Sequence, residues 1–501
     1  MTRASRSLSV VLVTLLLVSM ATLASAQSSS PLENLPYSGG VLMGRAIRAG
    51  RVQLPAPSIR PSAPPVVTCS PAPCTLPNTN VSKSAVLANE TPIVINPKNQ
   101  LQLLSGANDY ACAGIQGFYF SPDGGTTWNR SCLGLLSGAS GDGDPNVGFD
   151  LNNVAYAAGI DALSSGATNI VWSKSTDQGK TWSAVKVAVA NFFSGGIADK
   201  PWMEIDTRPA SSFKNNIYIS VTQFATNNNS TITVSHSADG GATWSNAIAV
   251  DSTQVYPSVD QFSDMATGAD GTVYVTWMRC TANGPSGDCG GTTATFYVSK
   301  SSDGGNTWTS PTKIATAALA PDPGFCCFYG SLPNTDERVS NIPVVAIDNS
   351  NGANNGTLYV TYYNWTGSFM QVLVTRSHDG GTTWTAGVPV APSTATHDQF
   401  FQWLNVSPGG IVGVSWDDRR NDPSNINYES FAAFSNDGGK SFSKNFDLSA
   451  KPSNPFNDGF GGFFIGDYTG NAWVANNTLL VVYTDTTTGI DQDFMVGERL
   501  K

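Results

Sequence analysis

Charge is what this chain has least of. Asp, Glu, Lys and Arg together make up 13% of its 501 residues, too little to coat the exposed faces of a helical protein. Histidine is scarcer still, with three in all, and no Cys-x-x-Cys spacing occurs; both counts argue against a Cys/His zinc site. HExxH, GxSxG and GxGxxG are absent. Gly439-Lys440-Ser441 and Gly179-Lys180-Thr181 imitate the end of a phosphate loop, but Phe434 and Lys174 stand where its first glycine is required. After the first 26 residues no apolar run reaches the ~18 residues a membrane helix needs, so no membrane span is expected. The formal net charge of −10 repels phosphate backbones and argues against nucleic acid as a partner. It leaves room for an anionic sugar, since one local cationic pocket outweighs a diffuse negative field.

Gly, Ser, Thr and Asn fill the space that charge leaves, a composition suited to short strands joined by tight turns. Arg3 and Arg6, the apolar run Leu8–Met20 and the small residues Ala24-Ser25-Ala26 read as a signal peptide over residues 1–26, cut before Gln27. The expected location is therefore secreted, extracellular or periplasmic, with a mature formal charge of −12 once two arginines are removed from −10. Eight cysteines in an exported chain suggest disulfides. Cys280 and Cys289 enclose a Gly-rich loop, Cys112 and Cys132 flank a repeat turn, and Cys69 and Cys74 share a Pro-rich stretch; Cys326 and Cys327 are adjacent, with partners unassigned. Residues 27–80 form a Pro/Ser-rich linker or strap, ahead of one folded domain at 81–501.

That domain repeats itself. The octet S-x-D-x-G-x-T-W occurs at Ser121–Trp128, Ser175–Trp182, Ser237–Trp244, Ser301–Trp308 and Ser377–Trp384, with a degenerate copy at Ser435–Phe442. Successive starts lie 54, 62, 64, 76 and 58 residues apart, the period of a four-stranded propeller blade with variable loops. The octet works as a hairpin turn. Its aspartate (Asp123, Asp177, Asp239, Asp303, Asp379, Asp437) accepts backbone hydrogen bonds, the following glycine supplies a positive φ, and the Trp or Phe packs back on the blade. These aspartates are structural.

A strand precedes each octet, another precedes that, and an innermost strand opens with a polar cluster such as Asp199-Lys200-Pro201-Trp202, Asp260-Gln261-Phe262 or His397-Asp398-Gln399. Three more strands are predicted after the last octet, at Phe463–Tyr468, Thr478–Tyr483 and Asp493–Glu498, with Asn80–Ala88 completing their blade. The fold expected is an all-β propeller of four-stranded antiparallel blades. Seven blades are favoured over six, closed by N- and C-terminal strands sharing a blade, which protects sheet edges.

The octet resembles the Asp box, or bacterial neuraminidase repeat, of the sialidase superfamily, and the resemblance covers about residues 85–445. It implies an exo-acting glycoside hydrolase of sialidase type, with three arginines on the substrate carboxylate, a Tyr nucleophile assisted by Glu, and an Asp acid/base. Asp boxes also occur in non-sialidase propellers. The Phe/Tyr-Arg-Ile-Pro string that carries the family's first arginine does not occur here, so no arginine is carried over by motif.

Strand order then chooses the face. The octet joins strands three and four, so loops between blades lie at the other end, where propeller ligands are expected. Arg279, Arg338 and Arg419 come from successive blades there and could grip a carboxylate. The opposing reading pairs Arg338 with Asp336 and Arg419 with Asp417 or Asp422. Asp199 and Asp260 are candidates for acid/base work, Tyr468 for a nucleophile, Asp398 for a substrate contact, and Trp202, Trp403 and Trp416 for stacking on a sugar. Gly141–Asp144 and Asp348–Gly352 could hold a structural calcium ion; no other cofactor or metal is expected. The partner expected is a glycan or glycoconjugate. The alternative is a non-catalytic propeller binding a glycan or a cell-surface or extracellular protein.

Overall fold

The computed structural model describes residues 40, 41, 44, 47, 49, 50, 73–82, 86–163, 165–282, 289–321, 332–335, 337–462, 464–487 and 494–500, with 142, 290 and 494–500 for backbone only. The signal peptide, most of the Pro/Ser-rich segment, Cys69, Asp336, Cys326 and Cys327 lie outside the described residues.

The first strand, β1 (Thr75–Asn80), falls inside the segment expected to be linker. A first blade follows, with β2 (Ala88–Asn89) and β3 (Ile93–Ile95) both pairing β4 (Leu103–Asp109), then β5 (Gln116–Ser121) and β6 (Asn129–Cys132). The second holds β7 (Ala139–Phe149), β8 (Ala155–Leu163), β9 (Thr168–Ser175) and β10 (Lys186–Val189). The third holds β11 (Ile197–Ile205), β12 (Ile217–Phe224), β13 (Ser230–Ser237) and β14 (Ile248–Ala249). In the fourth are β15 (Ser258–Thr267), β16 (Val273–Ala282), β17 (Cys289–Ser301) and β18 (Thr312–Ala318); the fifth has β19 (Val344–Ile347), β20 (Leu358–Trp365), β21 (Met370–Ser377) and β22 (Val388–Pro389). The sixth is β23 (Gln399–Val406), β24 (Val412–Asp418), β25 (Glu429–Ser435) and β26 (Phe446–Asp447). All are antiparallel and built from consecutive strands.

A further four-stranded sheet joins the two ends of the chain in the order β1, β29 (Phe494–Leu500), β28 (Thr478–Asp485), β27 (Gly470–Val474). Two details differ from the sequence reading. Its outer strand is Thr75–Asn80 rather than Asn80–Ala88. Its inner strand starts at Gly470 instead of running over Phe463–Tyr468, because Gly466 turns the chain at φ +105° and delivers Asp467 and Tyr468 to the axis.

Each octet lies between the third and fourth strands, as expected, and its hydrogen bonds repeat from copy to copy. In the first, Ser121 Oγ donates to Asp123 Oδ1 (3.0 Å), Gly125 N donates to Ser121 Oγ (2.8 Å), and Thr127 donates through N and Oγ1 to Asp123 (2.8 and 2.7 Å). Trp128 and Trp384 donate within their own turns, to the Gly125 and Gly381 carbonyls (3.2 and 3.1 Å), but in the second and third octets the aromatic ring also reaches the preceding blade. Trp182 lies 5.2 Å from Phe118 and donates to Ser131 Oγ (3.0 Å), and Trp244 lies 5.8 Å from Trp172. A cation on the third strand adds to this: Lys174, Lys300 and Arg376 donate to the carbonyls of Gly240, Gly380 and Gly439 in the next octet (3.3, 2.9 and 2.9 Å). The octets therefore latch blade to blade as well as turning the chain. Disulfides close Cys112 to Cys132 and Cys280 to Cys289, and Cys74 is also disulfide-bonded.

Candidate functional site: the central channel

The innermost strands share a local defect. β7, β11, β15 and β23 each carry a bulge, between Gly143 and Asn146, Asp199 and Trp202, Gln261 and Asp264, and Phe400 and Trp403. Inside each bulge a residue with a side chain adopts a left-handed backbone: Asp144 (φ +54°), Lys200 (+52°), Phe262 (+57°) and Phe401 (+50°), with Glu90 (+60°) between β2 and β3. Such conformations cost free energy and persist only where the surroundings enforce them.

They build a charged hub on the axis. The Lys200 ammonium sits 2.8 Å from Asp467, 3.3 Å from Asp144 and 3.7 Å from Glu90, and 4.7 Å from the centre of the Tyr468 ring. Arg338 grips Asp467 with two hydrogen bonds of 2.6 and 2.7 Å. Burial, followed by the negative charge of Asp144, pushes the Glu90 carboxyl well up. Burial pulls the Lys200 ammonium down, but Asp144, Asp467 and Glu90 outweigh it and hold it above its ordinary range.

The residues nominated from sequence distribute as follows. Arg279 donates to Asp260 (2.7 and 2.9 Å) and to Asp251; Arg338 is committed to Asp467; Arg419 donates to the Pro333 carbonyl (2.7 Å) and lies 3.6 Å from Asp398. Each of the three arginines is held by different partners within the chain. Asp336, the neighbour expected to pair with Arg338, lies outside the described residues, and Asp467, which Arg338 does grip, is 129 residues away; the expected neighbour Asp422 acts on Arg419 together with Asp398 and Glu337. Asp260 is buried and ion-paired; burial raises its carboxyl to about 6 against the pull of Arg279. Asp199 is buried and accepts from Gln261 Nε2 (3.4 Å), while Asp398 accepts from Met370 N (2.9 Å) and Asn425 Nδ2 (2.6 Å). Tyr468 is buried, donates to the Pro145 carbonyl (3.0 Å), and is pushed further from ionisation by burial and then by Glu90, Asp144 and Asp467. That is the opposite of an activated nucleophile. Trp416 is also buried, donating to Asp418 (2.8 Å) inside its blade. Trp202 is half-buried, 4.7 Å from Trp403 and 5.4 Å from Tyr468.

Below the bulges the same strands line a cavity of about 420 Å³. Strand order places it at the octet end, since Ile205 pairs Ile217 and Ile217 pairs Ser237, the first residue of an octet. The ligand-binding end expected from sequence is the other one. Trp202, Trp403 and Trp473 form part of its wall, with Glu204, Arg208, Asp264, Asn349, Asn405 and Asn471 between them. Glu204 Oε1 accepts from Thr267 N (3.0 Å) and Oγ1 (2.7 Å). Burial raises its carboxyl to about 7, opposed by the Thr267 hydroxyl and by Arg208. Burial also lifts Asp264, which accepts from Val345 N (2.7 Å). On three residues that line the cavity, one buried side-chain atom each, Arg208 Nε, Asn349 Oδ1 and Asn471 Oδ1, has no hydrogen-bond partner among the described residues.

No protein-family profile matches the chain, and no curated protein matches it. Solved structures do. One is a PL25 ulvan lyase bound to -[GlcA(1-4)Rha3S]-, with a TM-score of 0.50 and 11% identity over 84% of this chain and 95% of that one. The likeness is one of fold. Others are a Hadza microbial sialidase, Hz136 (TM-score 0.45, 15% identity, 81% of this chain and 74% of that one), and an alpha-L-arabinanase of Penicillium chrysogenum (0.44, 13%, 71% and 92%).

Sequence reasoning missed Glu204, Arg208, Trp473, Asn349 and Asn405 because it looked to the other end of the channel. A signal was present: Trp202 and Glu204 are two apart on an innermost strand, a spacing that puts both on one face, and Arg208 follows in the loop.

Proposed function

We propose that this protein is an exported, seven-bladed propeller that binds carbohydrate in its axial cavity without cleaving it. The observation that carries the reading is the cavity itself: Trp202, Trp403 and Trp473 in one wall beside the polar side chains of Glu204, Arg208, Asn349 and Asn405. Aromatic faces with a few open donors and acceptors suit a sugar, which offers C–H faces and hydroxyl edges, and the volume lies within the range of small-ligand sites. The pairing of Arg279, Arg338 and Arg419 with carboxylates of the chain, and the buried state of Tyr468, weigh against sialidase-type hydrolysis. The Asp-box resemblance supports a propeller of the carbohydrate-active kind, and the leader at residues 1–26, with the disulfides, supports export.

The seventh blade is the sheet of β1 and β27–β29. On one side Thr469 Oγ1 donates to the Phe401 carbonyl (2.9 Å) and Asn471 Nδ2 to that of Trp403 (3.0 Å); on the other Thr91 N donates to the Tyr468 carbonyl (3.3 Å).

The test is a glycan array followed by calorimetry on the best ligand. Trp473→Ala and Asn349→Ala are expected to weaken binding about tenfold each with the circular dichroism spectrum unchanged. Failure to bind any glycan would overturn the reading, and release of sialic acid from a fluorogenic α-sialoside would overturn its non-catalytic part.

A further inference from the structure

Arg208 stands apart from the other arginines whose side chains are described. Arg130, Arg279, Arg338 and Arg420 donate to carboxylates, and Arg376 and Arg419 to backbone carbonyls. The Arg208 guanidinium donates to no described residue, and its Nε is buried without a partner. The nearby carboxylate of Asp206 is already taken, by Arg208's own backbone N–H (2.9 Å) and by the Ser211 hydroxyl (2.5 Å). The terminal N–H groups of a half-buried guanidinium at a cavity wall, which donate to no described residue, are suited to a planar or tetrahedral oxyanion.

We propose that the sugar taken by the axial cavity is an acidic one, whose oxyanion is received by Arg208, and that ionised Glu204 opposes it. This rests on the carbohydrate reading above and narrows its ligand class. Glu204 lines the same cavity; Thr267 satisfies one oxygen, while Oε2 accepts no hydrogen bond from a described residue. The charged and titratable groups acting with it are Arg208, Asp206, Asp264 and Tyr218. Burial lifts Glu204 to about 7, so below that pH its protonated carboxyl is a hydrogen-bond donor beside the anion. Above it, a second negative charge enters the cavity, competes for Arg208 and repels the ligand. The chain's net acidity does not forbid such a site, because the cation acts locally.

Trigalacturonate, its neutral methyl ester and a sulfated galactose trisaccharide, titrated into the full-length protein by calorimetry, test this. At least one acidic probe is expected to bind about tenfold or more tightly than the ester; which one does so assigns carboxylate or sulfate. Arg208→Ala is expected to remove that preference and Arg208→Lys to restore part of it. Raising the pH from 6 to 8 is expected to weaken the acidic probe roughly tenfold, and Glu204→Gln to flatten that dependence. Equal binding of ester and acids, or Arg208→Ala without effect, overturns the proposal while the cavity reading stands. If neither acid binds, the proposal falls, and a neutral glycan hit on the array decides whether the broader reading survives.

Discussion

Gly241 and Gly356 both adopt a positive φ, +81° and +79°, yet replacing them should have different consequences. A Cβ on Gly241 would lie 2.1 Å from the Trp172 ring of the preceding blade, whereas one on Gly356 meets nothing within 4 Å. Gly356→Ala should cost ~1 kcal/mol from backbone strain alone. Gly241→Ala adds an overpacking cost and should lose ~2–4 kcal/mol; equal urea midpoints for the two variants would contradict this. Lys200 poses the other kind of residue problem. Lys200→Met would leave Glu90, Asp144 and Asp467 facing one another with Arg338 as their remaining cation, at an expected loss of ~3–5 kcal/mol, readable in the same unfolding experiment.

At the scale of the element, the octet couples acid stability to the turn. Asp177, Asp239, Asp303 and Asp437 are held down to about 2. At Asp239 the Thr243 hydroxyl and N–H are responsible; at the other three, burial pulls upward and the Ser and Thr hydrogen bonds outweigh it. An unfolded aspartate titrates near ~3.9, so between there and about 2 the unfolded chain binds more protons than the native one. Stability from these turns is therefore present above pH ~4 and lost as pH falls toward 2. The urea midpoint should drop between pH 5 and pH 3, with a shallower drop in Asp239→Asn. These turns are exposed, so each contributes modestly; the repetition gives the effect its size. The Cys112–Cys132 bridge acts on a neighbouring element, and with its ends 20 positions apart in sequence its removal should cost about 3 kcal/mol.

For the whole molecule the issue is how the first blade meets the sheet that joins the two chain ends. Trp128, the aromatic of the first octet, packs with Ala472, Leu480 and Val482 of the last sheet, just as Trp182 and Trp244 pack on the blades before theirs. Trp128→Ala should therefore loosen the junction between chain ends, losing ~3–5 kcal/mol. Hydrogen exchange should rise in β27 and β28 as well as around the substituted turn. Protection lost in β5 and β6 alone would mean the junction does not depend on this contact. Deletion through Asn80 removes β1, exposes β29 as an edge and should promote association.

Local sequence determined the blades because their information is local: an octet carries its own aspartate, glycine and aromatic, and strand alternation needs nothing from afar. Even the face on which the octets lie followed from strand order. The site did not, and the reason is physical. Whether Arg338 is free to meet a ligand depends on Asp467, which no spacing rule connects to it, and whether Tyr468 is a nucleophile or a packed ring depends on Glu90 and Pro145. The bulges that swing Lys200 and Asp144 into one hub, leaving Glu204 and Arg208 around a cavity at the opposite end, arise only when the strands stand round a common axis. Carboxylates and cations pair by distance in space, and tertiary structure alone sets that distance.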